Sequence, residues 1–463
     1  MRVRATVFSL SVIAILALTS QGVPVAQQDQ ELCHSLAEQI TQARSQTDSL
    51  FSIVRPQFLY ERPIAERHRI VFYIGHLEAF DWNLFSERAL SLRSFHPEYN
   101  QLFAFGIDPV DGGLPTDQPS DWPTLDVVRS YVTRTRQEID KALERVMTGD
   151  SAEREFPLAQ LLHVALEHRL MHAETLAYMF HQLPLDHKIQ NHPDSQLPAQ
   201  PPIPSMVRIP AGTATLGLRR DGAVFGWDNE FEQHIVDVPA FAIDRYPVTN
   251  AGFLAFVNAG GYQNKSYWAD PDWKWISENH IEHPGFWRRQ GNAWKLRTMF
   301  DAIPLPESSP VYVSQAEAAA FARWAGKALP SEAQWHSAAF GTPEGSEREF
   351  PWGSAAPDPR YGNFDFQRWN PTPANAHPAG DSAFGVSDLG NGWEWTSTLF
   401  APFPGFEPFP FYLGYSANFF DNHHFVMKGG SPRTASCMLR RTFRNWFQPH
   451  YPHVYAGFRC VSH

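Results

Sequence analysis

Cysteine is almost absent from the chain. Cys33, Cys437 and Cys460 are the three in 463 residues, too few for a disulfide framework and too scattered for a zinc site. Positive charge never gathers into a long basic run, and the net charge is −11, which argues against a nucleic-acid-binding role. Charged residues make up 19 % and hydrophobic residues 43 %, a balance that excludes a disordered chain and allows a sizeable core. The longest apolar stretch, Val7 to Leu18, is shorter than the roughly 20 residues a membrane-spanning helix needs, so no stable span is expected. No periodic repeat is evident.

What is there is uneven. Of the 15 tryptophans, all but Trp82 and Trp122 lie after residue 205, so the two halves differ in kind. At the N-terminus, Arg2 and Arg4 precede the apolar stretch, and Val23-Pro-Val-Ala26 offers a small residue for cleavage. Residues 1–26 therefore read as a secretory signal peptide. Residues 30–183 read as helical. Leu32, Leu36, Ile40, Ala43, Thr47 and Leu50 step by three and four, as one helix face requires. Pro63 is expected to open a second helix carrying Ile70, Tyr73, Leu77 and Phe80, and Asp121-Trp122-Pro123 a third, with Asp as cap and Pro in the first turn. A fourth runs from near Pro157 to before Pro184. Four helices of this length predict a four-helix bundle. Between the second and third, Ser91 to Ser120 is a long loop, a lid or a substrate wall. Residues 184–204 hold six prolines and read as a linker. Short strands follow, at Val207–Gly212 and Phe241–Pro247, with two short helices begun by Ser314 and Ser331.

The chemistry lies in histidine. In Glu167-His168-Arg-Leu-Met-His172-Ala-Glu174 the two imidazoles are four apart and share a helix face. A third ligand should come from a neighbouring helix, and His76 in Gly75-His-Leu-Glu-Ala-Phe-Asp81 fits. Three histidines leave coordination positions open, which structural metal sites lack. His163 and His181 stand about 140° and about 180° away round the helix. Glu78 and Glu174 point off the ligand face, as partners that orient the imidazoles or as unrelated residues.

The second half resembles the formylglycine-generating/sulfatase-modifying family. The resemblance is carried by Pro247 to Val257, by Ala322 to Trp335, by Asp388-Leu-Gly-Asn-Gly-Trp-Glu-Trp-Thr396, by Lys428-Gly-Gly-Ser431, by Phe443-Arg-Asn-Trp-Phe447 and by Ala456-Gly-Phe-Arg459. It spans nearly all of 205–463 and implies a C-type-lectin-like α+β domain. The first half resembles a DinB-type bundle, with the His-x3-His-x-Glu motif at His168, His172 and Glu174. Together, in this order, the halves are similar to the ergothioneine biosynthesis sulfoxide synthases. That resemblance implies Fe(II) held by His76, His168 and His172, with a thiol, the betaine N-α-trimethylhistidine and O2 as small-molecule partners. It also implies Asn445 and Trp446 beside the betaine, Met171 at a substrate-touching position where some members have Gln, and Tyr415 as a proton donor, with Tyr412 in reserve.

Two departures bear on the thiol. Met171 replaces a polar residue, and the loop after His76 lacks the arginine pair that holds γ-glutamylcysteine, with Arg88 and Arg93 the nearest. Cysteine is therefore favoured. Glu61 to Arg69 reads as another patch for a carboxylate or as a solvated helix start. Rival readings are a selenium or ovothiol-type analogue, a metal-dependent thiol transferase, and a non-catalytic ligand-binding module. A copper-binding oxidase is disfavoured, because Cys437 has no nearby partner after Gly-Gly-Ser. The signal-like segment points to export, whereas the family chemistry points to the cytoplasm.

Overall fold

The computed structural model describes residues 25–104, 114–148, 155–189, 199–222 and 224–462. The expected signal peptide lies almost wholly outside the described residues. Four long helices form the first half: α1 (Val25–Phe51) and α2 (Ile70–Arg88), then, after the short α3 (Pro97–Leu102), α4 (Leu125–Thr148) and α5 (Leu158–Gln182). α1 packs along α5 and α2 along α4. The four-helix expectation holds. None of the described helices is long and apolar enough to cross a membrane.

Two helix starts differ from expectation. α2 begins at Ile70 rather than at Pro63, because Glu61 to Arg69 is held in turns: Arg62 and Arg69 both reach Asp117, and Arg69 stays extended as the residue before the helix. α4 begins at Leu125. Asp121 instead closes the short turn before it, its carboxylate accepting from the Gln118 amide at 2.7 Å. At the start of the linker region, Lys188 pairs with Val54 of the bundle in a β-bridge.

The second half is an α+β domain. Its strands are β1 (Met206–Ile209), β2 (Gly212–Leu216), β3 (His234–Val238), β4 (Phe241–Asp244), β5 (Trp287–Gln290), β6 (Ala293–Arg297), β7 (Ala302–Pro304), β8 (Gly392–Leu399), β9 (Phe425–Gly430), β10 (Asn445–Phe447), β11 (Ala456–Gly457) and β12 (Val461–Ser462). The sheet that matters for the site has the order β10-β9-β8-β11, antiparallel except for the parallel β11–β8 pair. α6 (Asn250–Asn258), α7 (Asp270–Glu278), α8 (Gln315–Trp324) and α9 (Glu332–Phe340) complete it. Ser314 and Ser331 cap α8 and α9 through reciprocal bonds with Glu317 and Gln334, the start signal that the sequence carries.

α5 is the hinge of the design. Nearly every side chain along it is buried, the mark of a helix covered all round. The bundle covers one side and the second domain the other, and one apolar cluster runs through both halves.

Candidate metal centre

His76 comes from the middle of α2, and His168 and His172 from one face of α5. The three are buried, and one ring nitrogen from each lies within 4.8 Å of the others. His76 Nε2 and His172 Nε2 are 3.2 Å apart. No other group of three His, Cys, Asp or Glu among the described residues has this geometry.

The close approach of α2 to the covering loop depends on Gly75, where a Cβ would meet the Phe103 ring at 2.5 Å. Phe103 in turn presents its carbonyl to His76 Nδ1 at 2.7 Å. A carbonyl only accepts, so Nδ1 carries the proton and Nε2 presents its lone pair to the centre. Stacking fixes two planes: Phe72 lies over His76 at 4.8 Å and Phe80 over His168 at 3.4 Å.

The electrostatics favour neutral imidazoles. Burial pushes His76 down to about 4, with His68 and Arg169 adding to it against the Phe103 carbonyl. Burial and then the neighbouring imidazoles hold His168 and His172 well below the usual range. Neutral imidazole is the ligating form. Both ring nitrogens of His168 and Nδ1 of His172 are buried without a hydrogen-bond partner among the described residues. Buried polar atoms are rarely left so. An ion at the triad gives each of these rings a partner, so the residues fit a metal.

Neither acidic neighbour bonds to an imidazole. Glu78 is buried in an ion-pair network with Arg169 at 3.0 Å and Arg136 at 2.8 Å. Glu174 points the other way and bonds to the second domain. The outer support of His76 is instead a backbone carbonyl, which residue type does not reveal.

The remaining expected residues converge only in part. Tyr415 Oη donates to Met171 Sδ at 3.3 Å, beside His172, and its ring stacks on Trp227 at 4.0 Å. Tyr412 is the tyrosine whose ring neighbours His168, at 6.3 Å. Trp446 lies 5.5 Å from Tyr415 and stacks on Phe400 at 4.1 Å. The Asn445 side chain accepts from the Trp446 amide at 2.9 Å. Arg88 pairs with Glu155 at 3.0 Å and Arg93 is exposed. Arg62 and Arg69 are taken by Asp117, whereas Arg67 lies over the Tyr178, Phe447 and Tyr451 rings. His163 stacks on Phe225, and His181 bonds to Tyr455 and to the Arg297 carbonyl. Sequence reading missed Glu167, which accepts from Trp227 and from Arg440 in a two-pronged pair at 2.7 and 3.0 Å. Its only signal was a carboxylate adjoining a ligand.

Residues 193–463 match the model of the sulfatase-modifying factor enzyme 1-like domain. The chain belongs to that family. Residues 39–176 match the DinB superfamily. A hercynine oxygenase of Mycobacterium tuberculosis is 41 % identical over 238 residues, covering 50 % of this chain and 55 % of the relative. An ergothioneine biosynthesis protein 1 of Neurospora crassa is 27 % identical over 492 residues, covering 87 % of this chain and 55 % of its own. A formylglycine-generating enzyme of Mycobacterium tuberculosis is 30 % identical over 310 residues, covering 56 % of this chain and 97 % of the relative. With a DinB match in front of this domain, the chain is similar along its length to proteins named for ergothioneine biosynthesis. It spans a little over half the length of the hercynine oxygenase and of the ergothioneine biosynthesis protein.

Proposed function

We propose that this chain is an Fe(II)- and O2-dependent sulfoxide synthase that joins cysteine to the imidazole of N-α-trimethylhistidine. The observation that carries the reading is the buried, neutral His76–His168–His172 triad with unpartnered ring nitrogens, in a chain whose relatives include hercynine oxygenases. The reaction balances: a thiol S–H and an imidazole C–H are lost, a C–S bond forms, and one O2 ends as the sulfoxide oxygen and a water. Side chains alone cannot activate O2. Bound Fe(II) supplies that redox chemistry and the open positions at which the reactants meet.

The chain's own residues do the rest. His76, held by Phe103, and the two α5 histidines hold the ion. Phe72, Phe80 and Tyr412 exclude water from it. Tyr415, its phenol already directed at Met171, moves a proton at Oη. Asn445 and Trp446 take the betaine, whose quaternary ammonium suits an indole face. Cysteine is favoured over γ-glutamylcysteine because Arg93 is the one arginine between Ala89 and Thr124, and it faces solvent.

The test is anaerobic reconstitution with Fe(II), then O2 uptake and product mass spectrometry with trimethylhistidine and each thiol in turn. A cysteine conjugate sulfoxide, absent in His76→Ala and His168→Ala, is expected. Absence of iron binding and of any conjugate would overturn the reading, and a γ-glutamylcysteine product would overturn the choice of thiol.

A further inference from the structure

The Glu of the His-x3-His-x-Glu motif is left over once the ligands are assigned, and so are two phrases of the second domain. The structure brings all three together. Trp393 Nε1, from the Gly-Asn-Gly-Trp-Glu-Trp phrase, donates to Glu174 Oε1 at 2.8 Å. Ser431, which ends Lys-Gly-Gly-Ser, donates to the same oxygen at 2.5 Å, and Thr434 to Oε2 at 2.8 Å. Four acceptor positions on a buried carboxylate thus receive three donors, every one from the other domain.

Glu167 and Glu174 are seven residues apart, two turns along α5 and within about 20° of one stripe. His172 lies about 160° from Glu174. One side of the helix therefore carries ligands, and the other carries two carboxylates anchored in the second domain. Glu167 is held by Arg440 and Trp227, and Arg440 is shared with Glu230 at 2.5 and 2.9 Å.

Metal-binding histidines are ordinarily oriented by a hydrogen bond on the second ring nitrogen. His76 has one, donated to the Phe103 carbonyl. His168 and His172 have none among the described residues. Phe80 fixes the plane of His168, but where these two imidazoles sit is set by the position of α5, and α5 is tied to the second domain.

We propose that Glu174 is the positioning residue of this centre: through it the second domain sets the rotation and height of α5, and so where His168 and His172 meet His76. Glu167 holds the same stripe two turns earlier. The inference rests on the triad being a metal site.

The experiment uses the full chain and anaerobic Co(II), whose visible absorption reports ligand geometry without turnover. Glu174→Ala is compared with Glu174→Gln, which keeps an oxygen for Trp393 and Ser431 while the Thr434 hydroxyl rotates to accept from the amide nitrogen. The Ser431→Ala/Thr434→Val double variant leaves α5 untouched and carries the test if Glu174→Ala does not fold. Tyr262→Phe is the control, since it removes a buried bond to Glu317 elsewhere in the second domain. We expect Glu174→Ala and the double variant to weaken Co(II) binding by about ten- to hundredfold and to shift its bands, with Glu174→Gln within about threefold of the parent. Parent-like affinity and bands in Glu174→Ala or the double variant would overturn the proposal. So would an equal loss in Tyr262→Phe, which would tie affinity to stability alone. If the parent itself binds no Co(II), the metal reading falls and this inference with it.

Discussion

At the scale of single residues, Tyr415 and Asp388 make separable predictions. The Tyr415 phenol meets Met171, while its ring rests on Trp227. Tyr415→Phe keeps the stack and removes the hydroxyl. Product formation in single turnover should fall by about 10²-fold or more, the usual scale of a lost proton donor, with metal affinity unchanged. An undiminished rate would transfer the role to Tyr412, the ring nearer His168. Asp388 sits in the left-handed region at φ 61°, and burial pushes its carboxyl from 3.8 up to about 7. A raised carboxyl contributes its stability below the unfolded value and loses it as pH rises through the folded one. Asp388→Asn removes the charge and tolerates positive φ. Its melting temperature should therefore exceed the parent's above pH 7 and converge with it below about pH 4. A constant difference across that range would reject the assignment.

At the scale of elements, α2 and α5 are joined by charge as well as by the triad. Arg169 is fully buried between Glu78 at 3.0 Å and Asp81 at 2.8 Å. Burial opposes the Glu78 charge, but Arg169, Arg136 and Arg44 outweigh it and hold that carboxyl below its usual range. Arg169→Met strands the buried Asp81 and leaves Glu78 with Arg136 alone, and should cost about 3–5 kcal/mol in chemical denaturation near pH 7. The penalty should shrink as pH falls through the carboxylate range, because protonated Glu78 and Asp81 need no cation. A penalty that does not change with pH would mean lost packing, not stranded charge. The arginine was visible in sequence as the residue after His168, but its partners lie on another helix, so periodicity alone could not distinguish this clamp from a solvated face.

At the scale of the whole molecule, the bundle is expected to depend on the second domain. α5 is buried on the side that faces the second domain as well as on the side that faces its own bundle. A fragment of residues 25–189 would expose Glu167, Glu174 and the apolar surface between them. It should be poorly soluble, bind a hydrophobic dye and lack cooperative thermal unfolding. A monomeric, cooperatively folding fragment that still binds Co(II) like the full chain would show that the second domain is a passenger to the centre.

The sequence alone determined the pattern that local physics writes: four helices by three-four spacing, capped starts at Ser314 and Ser331, and three histidines on two helical faces. It also carried the family phrases that named the second domain. Local signals misplaced the starts of α2 and α4, because Asp117, distant in sequence from Arg62 and Arg69, holds the preceding turns. Tertiary structure alone decided what supports the triad. A backbone carbonyl steers His76, and backbone is the same in every residue. Glu174 turned out to face Trp393, Ser431 and Thr434, more than two hundred residues away. A carboxylate in a motif announces that it will be satisfied, but its partner is chosen by which surface the fold lays against it.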